Sequence, residues 1–303
     1  MSAGGHIICV GHAALDRVYA VDAWPAQSAK LPVRRYEEAG GGMSANAAAA
    51  IVRLGGKATF WGPTGDDAVA ASIREQLAAD GVDTAGLRTF AGHTSSHSAV
   101  IIDARGERLV VGYRGTALQA PADWLPLEQI RDADAVLADV RWPSGAEAAL
   151  QAARDAGRPA ILDAEVADAD VLARLCRAAD HVLFSERGLE AMGTGDAASI
   201  LRKVIADGAR VAAVTRGAGG VEWVDATQPD RLQRLPAFEV NVVDTLAAGD
   251  VFHGAYALAL AGGQSIASAM RFASAAAAIK CTRIGGRKGA PSRDEVERFL
   301  EER

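Results

Sequence analysis

The most informative segment of this chain reads Val242-Val243-Asp244-Thr245-Leu246-Ala247-Ala248-Gly249-Asp250-Val251-Phe252. Two acidic residues bracket a run of small residues, and the alanine-rich composition of residues 249–260 predicts a long helix directly after them. The first turn of a helix presents backbone N–H groups without intrahelical acceptors, together with the positive end of the helix dipole. Because small residues let an anion approach these groups closely, the segment predicts an anion-binding helix start.

Asp250 falls in the first turn of this predicted helix. A carboxylate there would repel a bound phosphate, but it has a chemical purpose if it accepts a proton from a hydroxyl group that attacks the phosphate. The alternative is an ordinary acidic residue that stabilises the helix dipole. The spacing of the segment is compatible with both interpretations.

Upstream of this segment, short apolar runs alternate with stretches of helical composition. This alternation predicts βαβ units, and therefore an α/β fold with a doubly wound, mostly parallel sheet covered by helices on both faces. The predicted strands are residues 7–10, 58–61, 135–138, 160–162, 181–184 and 211–215, and the predicted helices are residues 45–54, 67–79, 145–156, 170–178 and 197–206.

Two polar stretches, about 14–39 and 96–114, interrupt this rhythm. The second one contains two apolar runs around a turn at residues 104–106, which predicts antiparallel strands. We expect both stretches to join one small sheet outside the main layer, within a single catalytic domain that spans residues 1–303. Such a sheet can cover an active site as a lid, form a dimer interface, or do both.

The composition narrows the classes of function. The chain has 303 residues with 32 Lys and Arg against 38 Asp and Glu, a formal net charge of −6, which argues against a general nucleic-acid binder. No apolar run reaches the roughly 18 residues that a membrane helix needs, and the first residues lack the pattern of a signal peptide. We therefore expect a cytoplasmic protein with neither nucleic-acid nor membrane partners.

Two glycine-rich turns add further candidate binding residues. Gly40-Gly41-Gly42 precedes a predicted helix and allows a ligand to approach the backbone, and Asn46 lies where it can contact a polyol. This run also fits a loose dinucleotide-binding pattern, but residues 33–38 are too polar for the central strand that a dehydrogenase would need there. The turn from Thr215 to Gly220 follows a predicted strand and suits the wall of a nucleotide site.

In their order along the chain, Asp16, Gly41-Gly42 with Asn46, Thr215-x-Gly217 and Asp244-Thr245-x-x-Ala248-Gly249-Asp250 resemble the ribokinase/PfkB family of ATP-dependent carbohydrate kinases. The resemblance covers essentially the whole chain. It implies a doubly wound α/β domain with a small β-sheet lid, transfer of the γ-phosphoryl group of ATP to a sugar hydroxyl, a requirement for Mg²⁺, and a homodimer formed through the lid.

The resemblance also implies roles for individual residues. Asp250 is the catalytic base, and the backbone N–H groups of the residues that lead up to it form an anion hole. The remaining positions divide into four groups: Ala247, Ala248 and Gly249 for the anion hole; Asp16, Gly41, Gly42 and Asn46 for the sugar; Ser185, Thr215, Gly217 and Gly220 for ATP; and Asp244 with Gly286 for a monovalent cation such as K⁺.

Two departures from the family pattern bear on activity. Ala247 stands where the family has glycine, which costs roughly 1 kcal/mol if this position needs a positive φ. Ser185-Glu186-Arg187-Gly188 replaces an Asn-x-x-Glu stretch that is tied to the magnesium–phosphate site, and Glu186 could supply part of that function. These departures leave a catalytically weak sugar or nucleotide sensor as an alternative.

The substrate is predicted from a finer resemblance. The Arg141-Trp142 pair and the run from Lys280 to Arg287 resemble the branch that phosphorylates 6-deoxy-6-sulfofructose at O1, which implies that Lys30 and Arg141 face the sulfonate. A planar guanidinium and a lysine charge suit such a permanent anion, and Arg114 could supply an alternative contact. Against this, Arg141 could pair with a nearby aspartate while Lys30 is solvated. A fructokinase, a ketohexokinase or another sugar or nucleoside kinase is the alternative.

Overall fold

The computed structural model describes residues 4–25, 27–28, 30–105, 107–193 and 195–303, with Arg108 described by its backbone alone. In chain order the strands of this part are β1 His6–Val10, β2 Ala14–Ala20, β3 Arg35–Gly41, β4 Lys57–Gly65, β5 Leu87–Phe90, β6 Ser96–Ile102, β7 Arg108–Tyr113, β8 Ala135–Asp139, β9 Ala160–Ala164, β10 His181–Ser185, β11 Val211–Thr215, β12 Val221–Asp225 and β13 Gln228–Leu235. The helices are α1 Met43–Arg53, α2 Ala68–Ala79, α3 Pro143–Asp155, α4 Ala169–Ala178, α5 Glu186–Ala191, α6 Ala197–Ala206, α7 Ala248–Ala261, α8 Ile266–Cys281 and α9 Arg293–Glu301.

The large sheet has nine strands in the spatial order β13-β12-β11-β10-β9-β8-β1-β4-β5. The seven strands from β11 to β5 pair in parallel, whereas β12 and β13 extend one edge as an antiparallel hairpin. This arrangement confirms the predicted α/β fold class. The hairpin was not predicted, because β13 is rich in charged and amide side chains and an exposed edge strand leaves no apolar pattern in the sequence.

The two faces of the large sheet each bury a separate apolar core. Along β1, Ile7 and Cys9 pack into one core with α1, α7 and α8, while Ile8 and Val10 pack into the other with α3, α4 and α6. Successive side chains of a strand point to opposite faces, so a strand that is apolar at every position needs a helical layer on both sides. The uninterrupted apolar strands of the sequence are explained by this double burial.

The small sheet has four strands in the order β3-β2-β6-β7. β2 and β3 form one antiparallel hairpin, β6 and β7 form the other, and the two hairpins join through parallel pairing of β2 with β6. Both interrupting stretches of the sequence therefore contribute to one sheet. On the edge strand β7, the large apolar residues Leu109, Val110 and Val111 are all exposed.

The parallel strands end at one edge of the large sheet, where ligands of open α/β folds bind. Residues that follow β1, β8, β9, β10 and β11 meet there with the start of α1 and the start of α7. No helix in the described part of the chain is long and apolar enough to cross a membrane.

Candidate active site

The start of α7 is the segment that the sequence predicts to bind an anion. Ala247 precedes the helix with φ 61° and ψ 13°, and it is the only non-glycine residue with a positive φ among the described residues. Its methyl group offers no capping oxygen, and no other side chain caps this end in the part that the structure describes. A methyl group added at Gly249 would touch nothing within 4 Å, so there is free space beside this turn, although the N–H of Ala248 donates to the carbonyl oxygen of Thr245 over 3.2 Å. The sequence predicted an energetic cost at Ala247 if this position needs a positive φ, and the structure has that positive φ.

Asp250 lies in the first turn of α7 and is only partly exposed. Nδ2 of Asn46, in the first turn of α1, donates a hydrogen bond of 2.7 Å to Oδ2 of Asp250. Burial and the negative charge of Asp163 raise the pKa of Asp250 to about 7, although the Asn46 hydrogen bond and the positive charge of His253 act in the opposite direction. A carboxyl group with this pKa can accept a proton near neutral pH.

A buried histidine–aspartate pair affects the pKa of the Asp250 carboxyl group. His253 lies one turn after Asp250 on α7, and its Nδ1 lies 3.1 Å from Oδ2 of Asp163, at the end of β9. The two side chains are 4% and 6% exposed. Although burial lowers the pKa of His253, the carboxylates of Asp163 and Asp250 raise it above its usual value, which favours the charged form of the imidazole. Neither residue was predicted from the sequence.

The sugar-binding residues of the prediction lie on the small sheet and at the start of α1. Oδ1 of Asp16, on β2, accepts a hydrogen bond of 2.6 Å from the Ser98 hydroxyl on β6. The Asp16 carboxylate crosses directly over Gly41, where an added Cβ would overlap it. Gly42 has φ 95° and its Cα faces the backbone of His12, so both glycines are required by close approach.

His12 is a further site residue that the sequence analysis missed. Its Nε2 is buried without a hydrogen-bond partner among the described atoms, as is Oδ1 of Asn46. Burial lowers the pKa of His12, the positive charges of Arg141 and Arg114 lower it further, and the charges of Asp139 and Asp16 oppose them. The neutral imidazole thus lies among charges of both signs. A polar residue directly after a buried parallel strand was the available signal.

Asp139 organises this edge of the sheet. Its Oδ2 accepts hydrogen bonds from the backbone N–H groups of His12 (2.8 Å) and Ser44 (3.0 Å), and its Oδ1 accepts one from the N–H of Arg141 (2.8 Å). The carboxylate therefore ties the ends of β1 and β8 to the start of α1. Its acceptor sites are occupied by the backbone, which assigns Asp139 a structural role.

The two cations that were predicted for a sulfonate lie in different local environments. The Arg141 guanidinium donates from Nη1 to the carbonyl oxygen of Val166 over 3.1 Å, and within the described part it forms no ion pair with Asp139 or Asp163. Lys30 is exposed in the connection between β2 and β3. Arg114 is exposed just after β7, and its charge, like that of Arg141, acts on His12.

The predicted nucleotide residues follow β10 and β11. Thr215 ends β11, and the turn after it contains Gly217 and Gly220 with φ 52° and 85°. Ser185 caps α5 by accepting from the N–H of Gly188 (2.9 Å) and donates from Oγ to Glu165 (2.9 Å). These two contacts hold the Ser185 side chain at the position that the prediction assigns to ATP binding.

Two acidic residues at this wall suit a metal ion such as Mg²⁺ that binds together with the phosphate groups of ATP. Glu186 accepts a hydrogen bond of 2.6 Å from Arg216, and Glu165, which the sequence analysis missed, is half-buried beside Ser185. The described residues contain no group of three His, Cys, Asp or Glu that could hold a metal ion. Mg²⁺ commonly binds proteins through one or two carboxylates together with substrate phosphates. Glu165 and Glu186 fit that mode of binding, in which ATP supplies most of the ligands.

With this geometry established, comparison with known proteins gives the family. The model of the pfkB family carbohydrate kinases matches residues 5–293. The chain belongs to the pfkB family of carbohydrate kinases. It is therefore an ATP-dependent sugar kinase with a ribokinase-like fold.

Individual relatives cover the full length of this pfkB kinase. It is 30% identical to the ATP-dependent ribose-1-phosphate kinase of Halopiger xanaduensis, over 98% of each chain, and 30% identical to the ribokinase of Bacillus subtilis, over 97% of this chain and 99% of the relative. The crystal structure of a candidate ribokinase from Agrobacterium tumefaciens matches it with a TM-score of 0.93 at 40% identity, over 99% of this chain and 98% of the other. The sugars for which these relatives are named include one that carries a phosphate group and one that does not.

The position predicted for a monovalent cation in this pfkB kinase is already occupied by a side chain. Nζ of Lys280, on α8, lies 2.7 Å from the carbonyl oxygen of Asp244 and 3.3 Å from its Oδ2. Partial burial raises the pKa of Asp244, but N–H groups of Leu246 and Gly285 and the charge of Lys280 outweigh it and lower the pKa overall. Gly286 follows Gly285, whose N–H donates to Oδ2 of Asp244 (3.0 Å), and has φ 54°. The residues present do not fit an additional K⁺.

Proposed function

We propose that this kinase phosphorylates a hydroxyl group of a small sugar whose far end carries an anionic group, with O1 of 6-deoxy-6-sulfofructose as the first candidate. Asp250 serves as the base, the N–H groups at Ala247, Ala248 and Gly249 receive the transferred phosphoryl group, and Asp16 holds sugar hydroxyls. The observation that carries the proposal is the position of Arg141, whose backbone N–H donates to the same Asp139 carboxylate as the N–H of His12 (2.8 Å each), and the positive charges of Arg141 and Arg114 lower the pKa of His12.

The charge distribution supports an anionic substituent. A neutral sugar needs hydrogen-bond partners, which Asp16, His12 and Asn46 supply, and it gains little from a guanidinium. A sulfonate or phosphate has three acceptor oxygens that match the planar fork of an arginine such as Arg141. The Halopiger xanaduensis relative is named for ribose 1-phosphate, a sugar that carries such a group.

The chemistry proceeds by positioning and electrostatics. In this mechanism a sugar hydroxyl lies against Asp250, which accepts its proton as the oxygen attacks the γ-phosphorus of ATP. The N–H groups at the start of α7 stabilise the charge of the phosphoryl oxygens during transfer. Glu165 and Glu186 would hold Mg²⁺ that binds with ATP, and the ion would supply neutralisation of phosphate charge. Closure of the small sheet over the sugar excludes water and limits ATP hydrolysis.

A neutral sugar such as fructose or ribose is the second candidate. Two observations favour it: the Arg141 guanidinium already donates to the carbonyl oxygen of Val166, and Lys30 is exposed in a connecting segment. The ribokinase from Bacillus subtilis belongs to the relatives that point the same way. In this case Arg141 fixes the loop after β9 and does not contact the sugar.

Measurement of ADP release separates these candidates. The purified kinase is assayed with Mg-ATP against 6-deoxy-6-sulfofructose, fructose, ribose, ribose 1-phosphate and nucleosides. The Arg141→Met variant is compared with Arg158→Met, since Arg158 also donates to a backbone carbonyl, that of Arg131, but lies before β9 at the opposite edge. We expect Arg141→Met to reduce kcat/KM for the anionic sugar by at least about tenfold more than for fructose. Equal losses for both sugars, or a preference for fructose in the parent enzyme, would favour the neutral sugar.

We also propose that the small sheet joins a second copy of this chain. Val110 and Val111, neighbours on edge strand β7, point to opposite faces and are 56% and 59% exposed. An apolar edge strand exposed on both faces is a template for pairing with another sheet. Light scattering of the purified protein should give the mass of a dimer, and Val110→Lys with Val111→Lys should give a monomer. A monomeric parent protein would contradict the proposal.

A further inference from the structure

Lys280 is a buried charge that the phosphoryl-transfer mechanism does not use. Its side chain is 0% exposed, and no other lysine is buried among the described residues. Lysine is almost never fully buried unless it is paired, because removal of its charge from water is costly. The carbonyl oxygen of Asp244 at 2.7 Å and its Oδ2 at 3.3 Å provide that pairing.

The groups around this ammonium connect three segments of the chain. Asp244 accepts from the N–H of Leu246 at Oδ1 (2.8 Å) and from the N–H of Gly285 at Oδ2 (3.0 Å). At the end of α8, the carbonyl oxygen of Cys281 accepts from the N–H groups of Val243 (2.7 Å) and Asp244 (3.1 Å). The segment that leads to the anion hole is thereby fastened to the end of α8 and to the turn after it.

We propose that the Lys280 ammonium takes the place of a dissociable monovalent cation beside the anion hole, so that this kinase needs no K⁺. An ammonium group and K⁺ carry the same charge and both bind carbonyl and carboxylate oxygens. Two unit charges about 4 Å apart near a protein surface repel strongly enough to reduce the affinity of the second about a thousandfold. K⁺ can therefore not add to the site while Lys280 remains in it.

The ammonium acts on catalysis through the segment that it fixes. Asp244 precedes Ala247 by three residues, and between them the N–H of Leu246 is held by Asp244. Ala247 has the left-handed conformation that sets the direction of the following N–H groups. Lys280 is thus a positioning residue for the anion hole and also contributes a permanent positive charge near the transferred phosphoryl group.

The test compares cation dependence in the parent enzyme and in Lys280→Ala. ATP and buffer are supplied without alkali metals, ionic strength is held with choline chloride, and ADP is quantified directly by chromatography while KCl or NH₄Cl replaces choline. We expect parent turnover to be unchanged by K⁺. Turnover of Lys280→Ala should fall by about a hundredfold in choline, because the anion hole is displaced, and K⁺ or NH₄⁺ should restore most of it. Lys288→Ala, at an exposed lysine on the next turn, serves as the control and should behave like the parent.

A second measurement is independent of the sugar and of the proposed substrate class. Thermal unfolding is followed in choline and in KCl at equal ionic strength. K⁺ should raise the Tm of Lys280→Ala and leave the Tm of the parent unchanged, because only the variant has an open cation site. Strong activation or stabilisation of the parent enzyme by K⁺ would overturn the inference even if the variant does not fold. A folded Lys280→Ala with low turnover that neither K⁺ nor NH₄⁺ restores would overturn it as well.

Discussion

Asn46 and Asp250 are 204 positions apart in the sequence, yet the amide Nδ2 of one lies 2.7 Å from the carboxylate Oδ2 of the other. The starts of α1 and α7 are brought together by close helix packing. A Cβ added to Gly254, one turn after Asp250, would lie 2.6 Å from the carbonyl oxygen of Ala47. The proposed catalytic base therefore lies where the proposed sugar-binding glycine turn and the proposed anion hole meet, which is the position that phosphoryl transfer between two bound substrates requires.

The first prediction concerns the base itself. Asp250→Asn should lower kcat by at least about a hundredfold, since general base catalysis contributes roughly that much or more, while the affinity for ATP changes little. Initial rates and calorimetric titration with ATP measure the two quantities. Asp250→Asn should also retain the contact with Asn46 after rotation of the Asn46 amide, so a folded protein is expected. A variant with near-normal turnover would exclude Asp250 as the base.

The second prediction concerns pH. Because Asp250 acts as a base only when it is deprotonated and its pKa is about 7, kcat/KM should fall about tenfold per pH unit below that value. Asp163 raises the pKa of Asp250 by its negative charge, so Asp163→Asn should move the acidic limb of the profile to lower pH. Asp168→Asn, at an exposed residue after the same strand, should leave the profile unchanged. An acidic limb that stays fixed in Asp163→Asn would contradict this coupling.

The same carboxyl group makes the folded state sensitive to pH. Its pKa is higher in the folded chain than in the unfolded one, so the unfolded state binds fewer protons between about pH 4 and pH 7. The contribution of Asp250 to the free energy of unfolding is therefore complete below pH 4 and is lost as the pH rises through 7. At neutral pH Asp250→Asn should have a higher Tm than the parent, and this difference should shrink at pH 5. Equal Tm differences at both values would show that the burial of Asp250 carries no such cost.

The fourth prediction concerns Ala247. A non-glycine residue with a left-handed conformation is strained, so Ala247→Gly should raise the free energy of unfolding by about 1 kcal/mol. Ala248→Gly is the matched control, because the next residue begins α7 with helical geometry and glycine there should lower the free energy of unfolding by a similar amount. Denaturation by urea measures both variants. If Ala247→Gly were destabilising as well, the φ of 61° would not be a source of strain.

The sequence could predict the role of a residue where the residues adjacent to it in the chain determine that role. The anion hole follows from local composition, since small residues, an acidic residue and a long helix occur in succession. Asp163 and Lys280 were not assigned these roles, because each meets its partner only through the packing of separate elements. Both nevertheless left a signal: Asp163 interrupts a buried apolar strand, and Lys280 lies in a helix that is otherwise almost entirely small and apolar. A charge in a segment that must be buried indicates a partner, but not which one.

The positions of Lys30, Arg141 and Arg114 in the fold could not be derived from the sequence. Lys30 and Arg141 were grouped because both positions face the sulfonate in a related branch, but Lys30 is exposed in the connection between β2 and β3, whereas Arg141 is half-buried shortly after β8. Arg114 was the weaker alternative, and the positive charges of Arg114 and Arg141 both lower the pKa of His12. Connecting segments take positions that depend on contacts across the fold, which local sequence does not encode.

The last prediction separates sugar binding from ATP binding at the glycine turn. The Asp16 carboxylate lies across Gly41, so Gly41→Ala would force that carboxylate away from the Ser98 hydroxyl that holds it at 2.6 Å. We expect KM for the sugar to rise about tenfold or more, which corresponds to about 1.4 kcal/mol of binding, while KM for ATP stays unchanged. Gly112→Ala is the matched control on β7 of the same small sheet, where an added methyl group touches nothing within 4 Å, and both constants should remain as in the parent. An increase of both KM values in Gly41→Ala would indicate a general displacement of the small sheet, and an unchanged KM for the sugar would remove Asp16 from the sugar site.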